Sequence, residues 1–428
     1  MKITLIAGAR PNFMKVAPII KAIHKANQES GAGSQESGVR SQDGKIEYRL
    51  VHTGQHYDKN MSDTFFEELG IPAPDVNLGC GGGSQAEQTA AIMVAFEKEL
   101  TEHPADVVLV VGDVTSTMAC SIVAKKLDTK VCHVEAGIRS WDLTMPEEIN
   151  RMVTDSLADY MFTTSEVANR NLIRQGAELV ESSELRVDRS PKVDRGESLP
   201  EDKYAYERVP QRVWYVGNVM IDTLLANRAR FRKPDVWDEL NLTEQGFVVM
   251  TMHRPANVDE ENHLRAMMEQ IVDNVRGLPV IFPIHPRTAR LFYGLWKPTS
   301  GSSLKGREEC ESSEVLTTRF PNLHIVEPMG YLEFNYLVER AKAVVTDSGG
   351  ITEETTVMGV PCITLRDNTE RPETCTVGTN ELIGTDPAAV KPALDRLFAG
   401  EWKKGAIPAL WDGHTAERIV SILSGLRD

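Results

Sequence analysis

Short apolar runs alternate with segments of helical period along most of this chain, and that rhythm restricts the fold more than any other feature. A strand, a crossover helix and a second strand build a parallel sheet, because the helix has to cover one of its faces. The runs predict strands near residues 2–7, 47–52, 106–111, 130–135, 160–164 and 213–216, then 247–252, 279–284, 323–326, 342–346 and 361–365. With 428 residues the chain exceeds what one core holds well, so these strands divide into two groups. A strand ends and a helix starts near Gly217-Asn218, which places one domain at 1–216 and a second at 217–410. Residues 411–428 include a short amphipathic helix with no later element to pack on, which leaves the first domain as a surface for it. The expected class is α/β, two domains of parallel sheet. Three stretches break the rhythm at 28–45, 181–207 and 297–315; they read as surface insertions, since lengthening an exposed loop adds little closure entropy. Ser84 with Glu87 three residues on predicts a capping box at a helix start.

Sixty-two acidic against 47 basic residues give a formal charge of −15, which opposes a nucleic-acid partner. A phosphorylated small molecule would need a locally basic pocket. No stretch approaches the roughly 20 apolar residues that span a bilayer, so no membrane insertion is expected. The apolar run that opens the chain is too short for a signal peptide and leads straight into a turn. The cysteines (Cys80, Cys120, Cys132, Cys310, Cys362 and Cys375) show neither CxxC nor zinc-ligand spacing. Several lie in apolar runs, where cysteine acts as a small hydrophobe, and a reduced cytoplasmic setting fits them.

In open parallel sheets ligands sit beyond the carboxyl ends of the strands, so the residues just after each run carry the information. After the first strand, Gly8-Ala9-Arg10-Pro11-Asn12-Phe13-Met14-Lys15 turns into a helix start with two cations. An anion site and an ordinary βα turn with surface cations fit that segment equally. Asp113 follows the 106–111 run and would serve equally as a helix cap. Glu135 closes the 130–135 run, where a charge seldom stands without a partner, and two carboxylates at neighbouring strand ends suit acid/base work. In Pro146-Glu147-Glu148-Ile149-Asn150-Arg151 the four-residue spacing of Glu147 and Arg151 favours an intrahelical ion pair of about 0.3–0.5 kcal/mol. His253 and His285 each follow a hydrophobic run, where a histidine can face a phosphate, shuttle a proton or be satisfied locally.

The sharpest phosphate signal is Thr346-Asp347-Ser348-Gly349-Gly350-Ile351-Thr352-Glu353-Glu354, directly after an apolar run. A Ser-Gly-Gly turn lets backbone approach oxygen ligands and aims helix-start amides at a diphosphate, while an acid one turn on can bind ribose hydroxyls. The segment is neither GxGxxG nor GxxxxGK[ST], which argues against dinucleotide redox and NTPase chemistry. Arg366, Glu370 and Arg371 lie soon after.

Taken in order, GARPNFMKVAP, TGQHYD, GDVTST, HVEAGIRS, PEEINR, MHRPANV, DSGGITEE and RDNTERPE resemble the motif series of the non-hydrolysing UDP-N-acetylglucosamine 2-epimerases. The resemblance implies a glycosyltransferase-B-like fold of two Rossmann-like domains, with a UDP-sugar in the cleft between them. It implies Asp113, Glu135 and Glu147 as catalytic carboxylates, Arg151 as their support and His253 beside the diphosphate. Arg10, Lys15, Ser348, Gly349, Gly350, Glu354 and Arg371 would contact UDP, and Phe334 would lie near the uracil. Where the family often has His-Arg-x-Glu-Asn, this chain has His253-Arg254-Pro255-Ala256-Asn257, and a polar residue often found near the uracil is replaced around Met329.

The implied reaction interconverts UDP-N-acetylglucosamine and UDP-N-acetylmannosamine, serving surface polysaccharide precursors, with no cofactor, no metal and a homodimeric enzyme. UDP is eliminated across C1–C2 to give 2-acetamidoglucal and then added back with the proton on the other face. The alternatives are an epimerase of a related UDP-sugar such as a diacetamido uronic acid, a hydrolysing 2-epimerase, a retaining glycosyltransferase, and a non-catalytic UDP-sugar sensor. The sensor could dispense with Asp113, Glu135 and Glu147, and the glycosyltransferase gives no reason for the carboxylates of HVEAG and PEEINR.

Overall fold

A computed structural model describes residues 1–32, 45–54, 70–180, 211–284, 289, 292 and 319–426. His285, residues 55–58 of the TGQHYD motif and most of the three interrupting stretches lie outside the described residues. The chain forms two compact units, one of Met1–Asp58, Pro72–Asn218 and Thr415–Asp428, the other of Lys59–Ile71 and Val219–His414.

The first unit is built on β1 (Lys2–Ala7), β2 (Glu47–His52), β3 (Val76–Asn77), β4 (Val107–Val111), β5 (Lys130–Val134), β6 (Tyr160–Thr163), β7 (Glu178–Leu179) and β8 (Arg212–Tyr215). They form one sheet in the order β3-β2-β1-β4-β5-β6-β8-β7, with every pairing parallel. The run Val107-Val-Leu-Val-Val111 is buried at all five positions, as a central strand covered by helices on both faces must be. The helices are α1 (Arg10–Ala32), α2 (Gln85–Glu102), α3 (Thr115–Lys126), α4 (Pro146–Leu157) and α5 (Glu166–Arg174). Ile92, Phe96 and Leu100 of α2 and Ala119, Cys120 and Val123 of α3 pack on Val108, Val110 and Val131 of the sheet. The capping box at Ser84 is present in full: its hydroxyl accepts from Glu87 N, and the Glu87 carboxylate accepts from Ser84 N at 2.8 Å.

The second unit repeats the plan. In chain order it contains α6 (Val219–Arg228), α7 (Asp235–Glu239), β9 (Val248–Thr251), α8 (Pro255–Val258), α9 (Glu261–Asn274), β10 (Val280–Pro283), β11 (Leu323–Val326) and α10 (Tyr331–Arg340). β12 (Ala343–Thr346), α11 (Gly349–Met358), β13 (Cys362–Thr364), α12 (Pro372–Thr376), β14 (Asn380–Leu382) and α13 (Val390–Phe398) complete it. The sheet runs β11-β10-β9-β12-β13-β14, again all parallel. Its core gathers Met267, Met268 and Ile271 of α9 and Leu394 and Leu397 of α13 over Val248, Phe282 and Val345. A last helix, α14 (Thr415–Gly425), belongs to the first unit, where Arg418 Nη1 donates to Val216 O at 3.0 Å and Lys25 bonds Glu417 at 2.6 Å.

Both sheets are of the doubly wound, Rossmann-like kind expected from the sequence. Each has one point where successive strands turn to opposite sides, between β1 and β4 in the first unit and between β9 and β12 in the second. That switch point leaves a crevice beyond the carboxyl ends of the strands. A hollow lined by Lys2, Lys45, Glu47, Pro104 and Asp106 lies at the opposite, amino-terminal ends of β1 and β2, away from that crevice.

Candidate active site

In the first unit, register sets Val111 beside Val134, so β4 and β5 end level and Gly112 N donates to Val134 O at 3.0 Å. Asn12 ties the turn after β1 to the same place. Its Oδ1 accepts from Gly8 N and Ala9 N at 3.1 and 2.9 Å, and its Nδ2 donates to Val111 O at 2.9 Å. Farther along α1, Lys15 Nζ lies 2.6 Å from Glu135 Oε2, with both side chains buried. Lys15 is thus turned to a carboxylate, while Arg10 is exposed at the start of α1.

Two backbone features frame this pair. Gly112 has φ +68°, a conformation that favours glycine, and a Cβ there would lie 2.9 Å from the movable tip of Lys15. Glu135 has φ +70°, a left-handed conformation that costs a non-glycine residue roughly 1 kcal/mol. Such strain persists where the surroundings dictate it, and it concentrates at functional sites.

Asp113, one-third exposed, accepts from Arg151 Nη1, and its main-chain oxygen accepts from Asn150 Nδ2 at 2.9 Å. Arg151 also donates through Nε and Nη2 to Glu148 Oε2 at 2.9 and 2.7 Å. The Glu147–Arg151 pair favoured by spacing is therefore replaced by Glu148–Arg151 and Arg151–Asp113. Its physical reason is the loop before α4: Ser140 N, Ser140 Oγ and Trp141 N all donate to the buried Glu148 carboxylate, turning that face inward. Glu147 is left exposed in the first turn. Burial pushes the Glu148 carboxyl up, but the Ser140 amide and the Arg151 guanidinium outweigh it and hold the group below the usual range.

In the second unit Thr251 pairs with Thr346, so His253 and Asp347 leave adjacent strands together. Asp347 is fully buried and accepts from His253 N, Arg254 N and Asn257 Nδ2 at 3.0, 2.9 and 3.0 Å, and from the His253 ring through Nδ1 at 2.9 Å. Burial raises its carboxyl, and the His253 ring with these N–H donors brings it below the ordinary value. Nδ1 engaged by a carboxylate puts Nε2 at the outer edge of a ring whose side chain is 55% exposed. Asp347 was not among the site residues expected from sequence. Its signal was the one that marked Glu135, an acid directly closing an apolar run.

Ser348 caps α11 without a side-chain capping bond, its own N–H bonding Thr346 Oγ1 at 3.0 Å. A Cβ on Gly350 would meet nothing within 4 Å, and one on Gly349 would meet only Arg366 Nη1 at 3.7 Å, so the protein's own packing demands neither glycine. Arg366 is almost fully buried, and its Nη2 bonds Glu370 at 2.8 Å and Asn368 at 3.3 Å. Burial pushes Glu370 up, but Arg366 overrides it and brings the carboxyl down to about 2. Farther along α11, Arg371 Nε bonds the Glu353 carboxylate, and Tyr331 OH donates to Glu354 Oε1 at 2.9 Å. Phe334 is half-buried on α10, packed with Met329 against the cluster of Val249 and Val344.

Burial raises Glu354 to about 7, partly countered by the Tyr331 hydroxyl. Its folded value lies above the unfolded value of 4.5, so the linked stability is fully present below about pH 4.5 and is lost as pH rises through about 7. The second unit is expected to lose about 2–3 kcal/mol over that window. Thermal melts of Glu354→Gln should be correspondingly flat across it; an equal slope in the variant would assign the effect elsewhere.

In the first unit the structure brings Lys15 onto Glu135 and Arg151 onto Asp113, and in the second it brings His253 onto Asp347 beside the start of α11, while Arg10 and Glu147 stand exposed and Glu354 and Arg371 bond Tyr331 and Glu353. Among the described residues no group of three or more His, Cys, Asp or Glu side chains is placed to hold a metal ion, and no helix is long and apolar enough to cross a membrane.

A family model described as UDP-N-acetylglucosamine 2-epimerase matches residues 40–424. The UDP-N-acetylglucosamine 2-epimerase of Methanocaldococcus jannaschii is 35% identical over 433 residues, covering 99% of each chain. The UDP-2,3-diacetamido-2,3-dideoxy-D-glucuronate 2-epimerase of Pseudomonas aeruginosa is 34% identical over 386 residues, covering 90% of this chain and 88% of its own. The crystal structure of the M. jannaschii enzyme in complex with UDP-GlcNAc and UDP matches with a TM-score of 0.74 at 34% identity, covering 99% of this chain and all of that one. By matched length and identity alike, this chain belongs to the UDP-N-acetylglucosamine 2-epimerase family of isomerases.

Proposed function

We propose that the protein is a non-hydrolysing epimerase that inverts C2 of UDP-N-acetylglucosamine to give UDP-N-acetylmannosamine by eliminating UDP and adding it back. The observation that carries this reading is the buried Lys15–Glu135 pair beside Asp113 at one switch point, because it supplies carboxylates where a sugar carbon needs a base and an acid. The C2 hydrogen has no adjacent carbonyl and is not acidic, so its removal has to be coupled to loss of the C1 leaving group. The electrons of the C2–H bond become the C1–C2 double bond as the C1–O bond breaks, and UDP departs with its negative charge. Re-addition reverses this, with a proton returned to the opposite face.

In the second unit, the amides at the start of α11, Ser348, and His253 through Nε2 suit the charge that develops on UDP. Glu354 suits the ribose hydroxyls, Arg371 the diphosphate and Phe334 the uracil. Asp113, Glu135 and Glu147 serve proton transfer at the sugar, and Arg151 holds Asp113 in place. Lys15, in contact with Glu135, holds that carboxylate in place and adds to the positive field.

Gly350→Ala is expected to leave the fold as stable or up to about 1 kcal/mol more stable, since alanine is the better helix former and its Cβ meets no atom of the described residues outside its own helix. UDP affinity by calorimetry should fall at least tenfold in the same variant. Unchanged affinity would remove the start of α11 from the nucleotide site.

Product analysis by NMR tests the whole reading. Incubation with UDP-N-acetylglucosamine should yield UDP-N-acetylmannosamine; free N-acetylmannosamine with UDP would instead mark a hydrolysing enzyme. The identity to the P. aeruginosa enzyme favours one second reading, an epimerase of a diacetamido uronic acid on UDP, and turnover of that sugar alone in a substrate panel would select it.

A further inference from the structure

The deepest polar cluster of the first unit lies behind the candidate carboxylates. His133, on β5, and Asp155, on α4, are both fully buried. His133 Nδ1 lies 2.6 Å from Asp155 Oδ1, and His133 Nε2 lies 2.8 Å from Gly112 O. The second Asp155 oxygen accepts from Gly137 N at 3.0 Å and from Arg139 Nη1 at 2.6 Å. Burial would raise the Asp155 carboxyl, but His133 and Arg139 bring it below the usual range, so it is an ionised acceptor. A peptide carbonyl can only accept. The His133 ring therefore donates to Gly112 O through Nε2.

We infer that His133 acts as the positioning residue for the Gly112 turn. Gly112 is gripped on both sides by β5, its N–H by Val134 O and its carbonyl by the His133 ring. That grip fixes the left-handed turn that delivers Asp113 and sets the clearance for Lys15 Nζ against Glu135. A side chain without this donor would leave the carbonyl less firmly held and shift Asp113 by a fraction of an ångström, enough to change a rate without changing the fold.

The inference rests on the epimerase reading for what the turn presents, but not for the hold on the turn. In 15N-labelled protein the Gly112 and Asp113 amide signals should move in His133→Gln and in Asp155→Asn, and unmoved signals would overturn the inference. In the same variants kcat for epimerisation should fall about a hundredfold with KM changed by less than about threefold. A kcat within about threefold of wild type in a folded variant would equally overturn it. Should wild-type protein turn over no UDP-sugar, the epimerase reading fails while the hold on the turn is still decided by the amide signals.

Discussion

Glu135→Gln is expected to lower kcat by about a thousandfold, the scale of a lost acid/base group. The amide keeps the shape of the carboxylate and one acceptor for Lys15, but it cannot take a proton from carbon. Stability should fall by at most about 3 kcal/mol, because Lys15 loses its counter-charge yet keeps a hydrogen bond to the amide oxygen. Adding Lys15→Met to Glu135→Gln separates the two effects. Replacing both members of a buried pair is often neutral, so the double variant should regain stability without regaining activity. A Glu135→Gln enzyme with near wild-type kcat would remove Glu135 from proton transfer.

Arg151→Met should give the largest loss of stability, about 3–5 kcal/mol, since it leaves Glu148 buried with no cation. For a unit of this size that corresponds to a fall in melting temperature of roughly 10 °C. Asp113 loses its partner in the same step, so the residual folded enzyme should also be slow. Glu147→Ala is the control that distinguishes neighbouring acids. Glu147 is exposed, so its loss should change the melting temperature by no more than about 2 °C while reducing turnover. If Glu147→Ala proved as destabilising as Arg151→Met, the inward and outward faces of α4 would have been assigned the wrong way round.

The sheets were legible because their central strands are long apolar runs with nowhere to go but an interior. Runs read at 106–111 and 342–346 are observed as Val107–Val111 and Ala343–Thr346. Val76–Asn77, Glu178–Leu179 and Asn380–Leu382 were not legible, being edge strands of two or three residues without an apolar run to announce them. The partners of the site residues are a different matter. Lys15 and Glu135 stand 120 residues apart and His133 and Asp155 stand 22 apart, distances that only the order of strands and helices can bridge. Glu147 and Glu148 are adjacent, and helical period alone cannot say which faces inward when three donors of the preceding Ser140-Trp141 loop decide it. Asp347 could have been found, since it ends an apolar run as Glu135 does. The left-handed backbone of Glu135 could not, because nothing in Val134-Glu135-Ala136 favours it.

The roles proposed for Asp113, Glu135 and the start of α11 all depend on C2 being opened to solvent protons during turnover. Incubating the enzyme with UDP-N-acetylglucosamine in deuterated buffer and following the sugar signals by NMR tests this directly. Deuterium should appear at C2 of the N-acetylmannosamine nucleotide as it forms, and at C2 of recovered substrate as the reaction approaches equilibrium. An epimer that keeps its original hydrogen at C2 would contradict the account.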